Sequence, residues 1–396
     1  MKKRIRLMSM VILCLMITVF GPVCAFGAFD SASMERHKIG VLVYNIADDE
    51  VMSFRNYLEN YIEEVFPDVE FLYSESITSE EEELAFIQNA SDAGVEGILS
   101  FLDYDLKKEV ELCAKNEIYY IMASSTVPEE DFEATKGNPW FLGVVGPGVE
   151  TEYQAGYDMG AFFTEKGSDR YFVIAGGSSL GNEMHRQRAI GILTAIQDAY
   201  GESFEKDVAE LAETTEILHV TAGKAEVCIC PGYLRNESLE QTKAEYEKDP
   251  YPVVLSVQTL YELKDVVRKS LVGEVDCYSE NNLQAFSWGN LSYLTGKYAS
   301  IIGPSFAAMY NAVTGYAEDF RDDGNAFSLH QGFWTSSDPN DYVEKYTFSS
   351  SIALNAYNYE DLMQVCKRYD PDADLEQLKK LAESSSFEEV KARRGM

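Results

Sequence analysis

Three short stretches of this 396-residue chain carry residue types whose spacing could do chemistry. Gly177-Ser-Ser-Leu-Gly181 has the G-x-S-x-G form of a nucleophile elbow, with Ser179 at the point where a strand turns into a helix. That chemistry needs an acid and a histidine later in the chain, and His219 and His330 both follow. The same loop also has a plainer use, because glycine and serine ahead of a helix let a ligand come close to the backbone. Arg186 and Arg188 stand just beyond it. A guanidinium offers a planar fork of donors that suits vicinal hydroxyls or a carboxylate, and it can equally pair with local acids. The third stretch is Cys228-Ile-Cys230, in which strand alternation would put both thiols on one face. With only four histidines in the chain (His37, His185, His219, His330), core thiols are expected there rather than a metal site. No Walker loop, HExxH pair or dinucleotide fingerprint occurs, so no cofactor is expected.

The elements around these residues alternate. Residues 140–145 predict a strand ending at Gly146-Pro147-Gly148, and 152–163 a helix with small residues at Ala155, Gly156 and Gly160. A Lys166-Gly167 turn leads to a strand at 171–175, then the Gly-Ser loop, then a helix from Glu183. This is a βαβα unit, in which ligand chemistry belongs at the carboxyl ends of the strands. Upstream, strands are predicted at 39–44, 69–73, 97–101 and 118–123, with helices between them. Downstream, strands are predicted at 227–230, 252–257 and 275–278, with a helix at 260–270. A crossing strand at 299–302 and a helix at 305–320 follow. The carboxyl-end rule selects Tyr44, Asn45, Asp48, Tyr104, Ser124 and Ser125 in the first half.

The run Tyr153-Gln-Ala-Gly-Tyr-Asp-Met-Gly-Ala-Phe-Phe-Thr-Glu-Lys-Gly, with Tyr171-Phe-Val-Ile-Ala-Gly-Gly and Arg186-Gln-Arg-Ala-Ile-Gly-Ile, resembles a known family. It is similar to the opening of the second lobe in type I periplasmic binding proteins, which include sugar receptors of ABC importers and the effector-binding core of LacI-type repressors. The resemblance is one of pattern across about residues 38–330. It implies an α/β fold of two Rossmann-like lobes with parallel sheets joined by a hinge, near Gly146 and Gly303. The implied organisation is residues 37–146 plus 303–330 as the first lobe, 147–302 as the second, and 331–396 as a C-terminal crossover and helical tail.

The resemblance implies a receptor rather than an enzyme, closing on a small polar ligand for a membrane ABC permease. A sugar or sugar-like metabolite is the first expectation. A nucleoside, an amino-acid derivative or a signal molecule is the alternative, and a serine hydrolase using Ser179 the alternative of another class. In the family the first arginine of Arg-x-Arg-x-x-Gly touches the ligand and the second is structural, which assigns Arg186 and Arg188 in that order. Arg186 is then expected to face Asn45 across the cleft. Where sugar-binding members end strands with Asn-Asp and Phe/Tyr-Asp, this chain has Gln258-Thr259 and Tyr278-Ser279. Glu280, Asn281 and Asn282 stand beside the second pair as replacements. The family's Ile-Pro is Ile118-Tyr119 here.

Composition agrees. The hydrophobic fraction of 46% suits a globular chain, and 396 residues suffice for two cores. The formal charge of −33 is repelled by nucleic acid and anionic headgroups, so neither is an expected partner, and a monomer is expected. Lys2, Lys3, Arg4 and Arg6 precede an apolar stretch at 7–20 and small residues near 25–28, the pattern of a secretory signal peptide spanning 1–27. Export, extracellular or periplasmic, is therefore expected. It leaves no room for the helix-turn-helix of a repressor. Cys24 offers a lipid anchor as a second option, although Gly21 and Val23 suit a lipobox poorly. The odd number of cysteines beyond it argues against a disulfide framework.

Overall fold

The computed structural model describes residues 36–396, so the expected leader with Cys24 lies outside the described residues. Runs of β-branched and aromatic residues build two sheets. The first contains β1 (His37–Val43), β2 (Val69–Ser76), β3 (Gly97–Ser100), β4 (Tyr119–Ala123), β5 (Phe141–Gly146) and, from late in the chain, β12 (Phe327–His330). Its order is β12-β5-β4-β3-β1-β2, and all its pairs are parallel. The second contains β6 (Arg170–Gly176), β7 (Leu218–Ala222), β8 (Ala225–Pro231), β9 (Val253–Ser256), β10 (Leu271–Cys277), β11 (Tyr293–Lys297) and β13 (Trp334–Ser336). Its order is β13-β11-β10-β9-β6-β8-β7, parallel except at the two edges. Inner strands such as β5 and β9 are buried along their whole length, as sheets covered on both faces require.

The connecting helices begin where the sequence supplies caps. Asp48 accepts from Glu50 N to start Asp49–Tyr57, and Ser79 accepts from Glu82 N to start Glu80–Asp92, whose first turn is four glutamates. In the central unit, helices Val149–Glu165 and Glu183–Tyr200 cross at glycines. A Cβ on Gly156 would lie 2.0 Å from Arg188 O, and one on Gly191 2.1 Å from Tyr153 O, so only glycine allows this approach.

Three stretches differ from the sequence expectation. Residues 260–270 form successive turns rather than a helix. Leu260 N is held by the buried Glu274 carboxylate at 2.9 Å, and Leu263 and Val267 are fully packed, so tertiary anchoring overrides helical spacing. Ala299–Ile302 is a 3-10 turn rather than a strand, because the tail supplies its partners. Ala299 N donates to Ser349 Oγ, and Ser300 Oγ accepts from Ala356 N, each at 3.0 Å. The predicted helix at 305–320 is α only over Gly303–Asn311, then widens and tightens around Gly315, whose φ is +93°. Strands β7, β11, β12 and β13 lie outside the predicted strands.

The chain passes between the two sheets at residues 146–149, 297–303 and 330–334. Gln331, 1% exposed, joins all three. Its backbone N donates to Gly146 O at 2.9 Å, and its side chain donates to Ile301 O at 2.8 Å. The tail touches both sheets' surroundings. Tyr342 stacks on Tyr278 and donates to Ser279 O at 2.9 Å, while Tyr57 donates to Tyr357 O at 2.7 Å. The largest apolar cluster runs through Phe306, Tyr298 and Trp334, the last two stacked at 3.9 Å. Among the described residues no helix is long and apolar enough to cross a membrane.

Candidate functional site: the cleft between the sheets

An open parallel sheet leaves a crevice at the carboxyl ends of its strands where the strand order reverses. In the first sheet that point lies between β1 and β3, and in the second between β6 and β9. The residues there are Tyr44-Asn45 and 101–104 on one side, and 176–178 and 257–259 on the other. The two carboxyl ends meet. Lys297, ending β11, lies 3.0 Å from Glu50 in the first turn of the helix after β1. Asn281, in the first turn of the helix after β10, donates to Asp49 Oδ2 at 2.8 Å. Beside these bridges opens a groove of about 580 Å³, lined by Asp49, Asn56 and Tyr61 from the first side and Tyr278, Glu280 and Asn281 from the second.

The residues selected from sequence fall in different settings. Tyr44, half-buried, donates to Asp48 Oδ1 at 3.0 Å, and that carboxylate also caps the next helix. Burial, then the Glu50 charge, pushes Asp48 up to about 6. Asn45 is exposed and accepts from Ala47 N. Ser124 is buried at φ +56°, with no hydrogen-bond partner for its hydroxyl. Tyr104 is 48% exposed. Burial, then the Glu83 carboxyl, raises its phenol, and Tyr233 and Arg235 of the second sheet also act on it. Gln258 is half-buried and reaches Gly232 O at 3.4 Å. Tyr278 lines the groove with its ring against Tyr342 and its hydroxyl 2.9 Å from Ser336. Glu280 is exposed beside it.

The arginines divide differently from the geometric expectation. Arg186 turns its guanidinium onto Glu213 and Glu183, around its own sheet, and not across the cleft toward Asn45. Arg188 is 4% exposed, pairs with the fully buried Glu152 at 2.5 Å, and donates to Val257 O at the end of β9 at 2.9 Å. It therefore stands at the switch point itself. His185 beside it accepts from Gly177 N at 2.9 Å, and burial holds its pKa well below the usual value, so the imidazole is neutral. Gly176, with φ +59°, makes room for that ring: a Cβ there would lie 2.6 Å from His185 Nδ1.

Sequence reasoning missed Asp49, Glu50, Lys297 and Asp276. Lys297 follows a strand by the same rule that selected Tyr44, but β11 went unrecognised. Asp276 accepts from Asn282 at 2.8 Å, and burial, then Glu274, then Asp48 raises its pKa. The cleft is thus rich in acceptors, with Lys297 as a cation among them, which suits a ligand that donates several hydrogen bonds. Ser179 has no histidine hydrogen-bonded to it among the described residues, since His185 serves Gly177 and His219 pairs with Glu245. The one His/Cys/carboxylate set found among those residues lies away from the cleft, at the outer edge of the second sheet.

No family model matches this chain, and no curated protein matches it. Solved structures do. An ABC transporter solute-binding protein from Bacillus halodurans, with bound myo-inositol, is similar with a TM-score of 0.58 at 15% identity, over 80% of this chain and 99% of that one. A galactofuranose binding protein is similar with a TM-score of 0.59 at 11% identity, over 79% of this chain and 98% of that one. The periplasmic binding protein component of the arabinose ABC transporter from Shewanella sp. ANA-3, bound to arabinofuranose, gives 0.55 at 13% identity, over 81% and 99%. The likeness is one of fold, and with its two mostly parallel sheets this chain has the two-lobed fold of the type I periplasmic binding proteins.

Proposed function

We propose that this protein is an exported solute receptor that captures a small polar ligand between its lobes and presents it to an ABC permease. The observation that carries the reading is the pair of bridges Lys297–Glu50 and Asn281–Asp49, which join the two carboxyl-end surfaces where a ligand would be enclosed. Hinged closure around a ligand is the motion such a two-lobed arrangement permits. A sugar or polyol suits the wall best. Carboxylates at Asp48 and Asp49 accept hydroxyl hydrogens, Asn281 and Gln258 bond either way, and the buried Ser124 hydroxyl is left to pair with a ligand. The myo-inositol and arabinofuranose held by proteins of similar fold support that class. Arg186 would join the ligand only by leaving Glu213 and Glu183. Among the described residues no histidine is hydrogen-bonded to Ser179, which disfavours hydrolysis. The protein acts as a monomer.

Native mass spectrometry of freshly purified protein, followed by calorimetric titration with the released compound, tests this. The expected result is one retained neutral polyhydroxyl compound per chain. Turnover of esters or peptides that Ser179→Ala abolishes would overturn the receptor reading.

A further inference from the structure

At the outer edge of the second sheet the antiparallel hairpin β7–β8 places His219 directly opposite Cys228. Opposed residues of an antiparallel pair project to the same face, and Cys230, two residues on, shares that face with Cys228. The helix Asn236–Lys248 covers it and brings Glu245 alongside. The ligand atoms of His219, Cys228 and Glu245 all lie within 4.8 Å of one another. Cys228 Sγ and Cys230 Sγ are 4.0 Å apart.

We propose that His219 Nε2, Cys228 Sγ, Cys230 Sγ and Glu245 Oε1 bind one divalent ion of the zinc class. Two thiols and an imidazole are a soft donor set, which selects zinc over the hard cations that oxygen-only sites hold. The spacing of the two sulfurs suits one ion, since sulfurs bound at about 2.3 Å with a tetrahedral angle stand about 3.8 Å apart. His219 Nε2 and Glu245 Oε1 are already 3.2 Å apart, while Glu245 Oε2 is held by Lys248 at 2.6 Å. The ring's other nitrogen, Nδ1, lies 3.5 Å from the Tyr251 hydroxyl, the position of a partner that orients a ligating histidine. Binding forms metal–sulfur bonds and releases one proton to water from each thiol. The ion keeps its oxidation state, so no electron acceptor is needed. The site is half-shielded, with both cysteines buried and His219 60% exposed at the rim, so an ion can enter without unfolding. Once bound, it clasps the edge hairpin to the helix Asn236–Lys248, remote from the cleft.

Reduced, chelator-treated full-length protein titrated with cobalt(II) tests this. The expected result is one equivalent bound, with a sulfur-to-cobalt charge-transfer band that zinc displaces. Cys228→Ser should weaken the band, and the double change Cys228→Ser with Cys230→Ser should remove it. His219→Ala, at an exposed position that leaves the fold intact by circular dichroism, should weaken cobalt binding by at least about tenfold. Absence of the band in the parent protein, or unchanged affinity in His219→Ala, would refute the site. A Cys228–Cys230 disulfide found by peptide mass in the exported protein would refute it too.

Discussion

Lys297 Nζ lies 3.0 Å from Glu50 Oε1, with one residue ending a strand of the second sheet and the other opening a helix beside the first. Their side chains are 5% and 13% exposed, so each would be a costly buried charge without the other. The two charges therefore compensate each other where the lobes meet, and opening rehydrates both ends.

Removing one partner should open the protein. Lys297→Met leaves Glu50 unpaired in the closed form, a penalty of about 3–5 kcal/mol that opening relieves. Small-angle scattering of the ligand-free variant should show a larger radius of gyration than the parent. Adding Glu50→Gln should restore the parent value, and unchanged dimensions in the single variant would mean that closure is held elsewhere.

The two arginines should separate by stability. Arg188→Met strands Glu152, which is fully buried and accepts only from Arg188 and from Thr126 Oγ1 at 3.0 Å among the bonds seen. Chemical denaturation should show a loss of about 3–5 kcal/mol. Arg186→Ala breaks partly exposed pairs and should cost under about 1 kcal/mol. Equal losses would contradict the placement of one arginine in the core and the other at its edge.

Gln331→Ala should soften the hinge. It leaves Ile301 O without its donor in a buried setting, at a cost of about 2 kcal/mol. Hydrogen exchange should accelerate first at residues 297–303. Faster exchange confined to the sheets would place the hinge bolt somewhere other than Gln331.

Asp48 gives a pH dependence of known sign. Its carboxyl is raised from 3.8 to about 6 by burial and then by Glu50, so the folded state holds a proton that the unfolded chain has already lost. Stability falls as pH rises from about 4 through about 6, and the full cost applies above that. Asp48→Asn keeps a competent cap and should stabilise the ligand-free protein by about 3 kcal/mol at pH 8 and by nothing at pH 3.5. A gain that does not vary with pH would mean the burial of Asp48 carries no charge penalty.

The alternating strands and helices of the first half, the βαβα unit around Gly156 and the Gly-Ser loop were legible from composition and period. Local order depends on local pattern, because a buried parallel strand needs a continuous apolar run and a helix needs its cap. The position of the crevice was also legible, since it follows from where strands end. Tertiary structure decided the rest. Lys297 became a cleft residue only through β11, a short strand whose pairing with β10 and β13 no local pattern announces. Arg186 and Arg188 share one helix, and the sequence spacing cannot say which points to the sheet.

 The Arg188 side chain is 5% exposed and pairs with Glu152, whereas the Arg186 side chain is 28% exposed and pairs with Glu183 and Glu213. Successive helical residues point about 100° apart, so two arginines two positions apart cannot both face the sheet. Which of them does is decided by how the helix Glu183–Tyr200 packs against Val149–Glu165, at the glycine crossing that only the folded chain brings together.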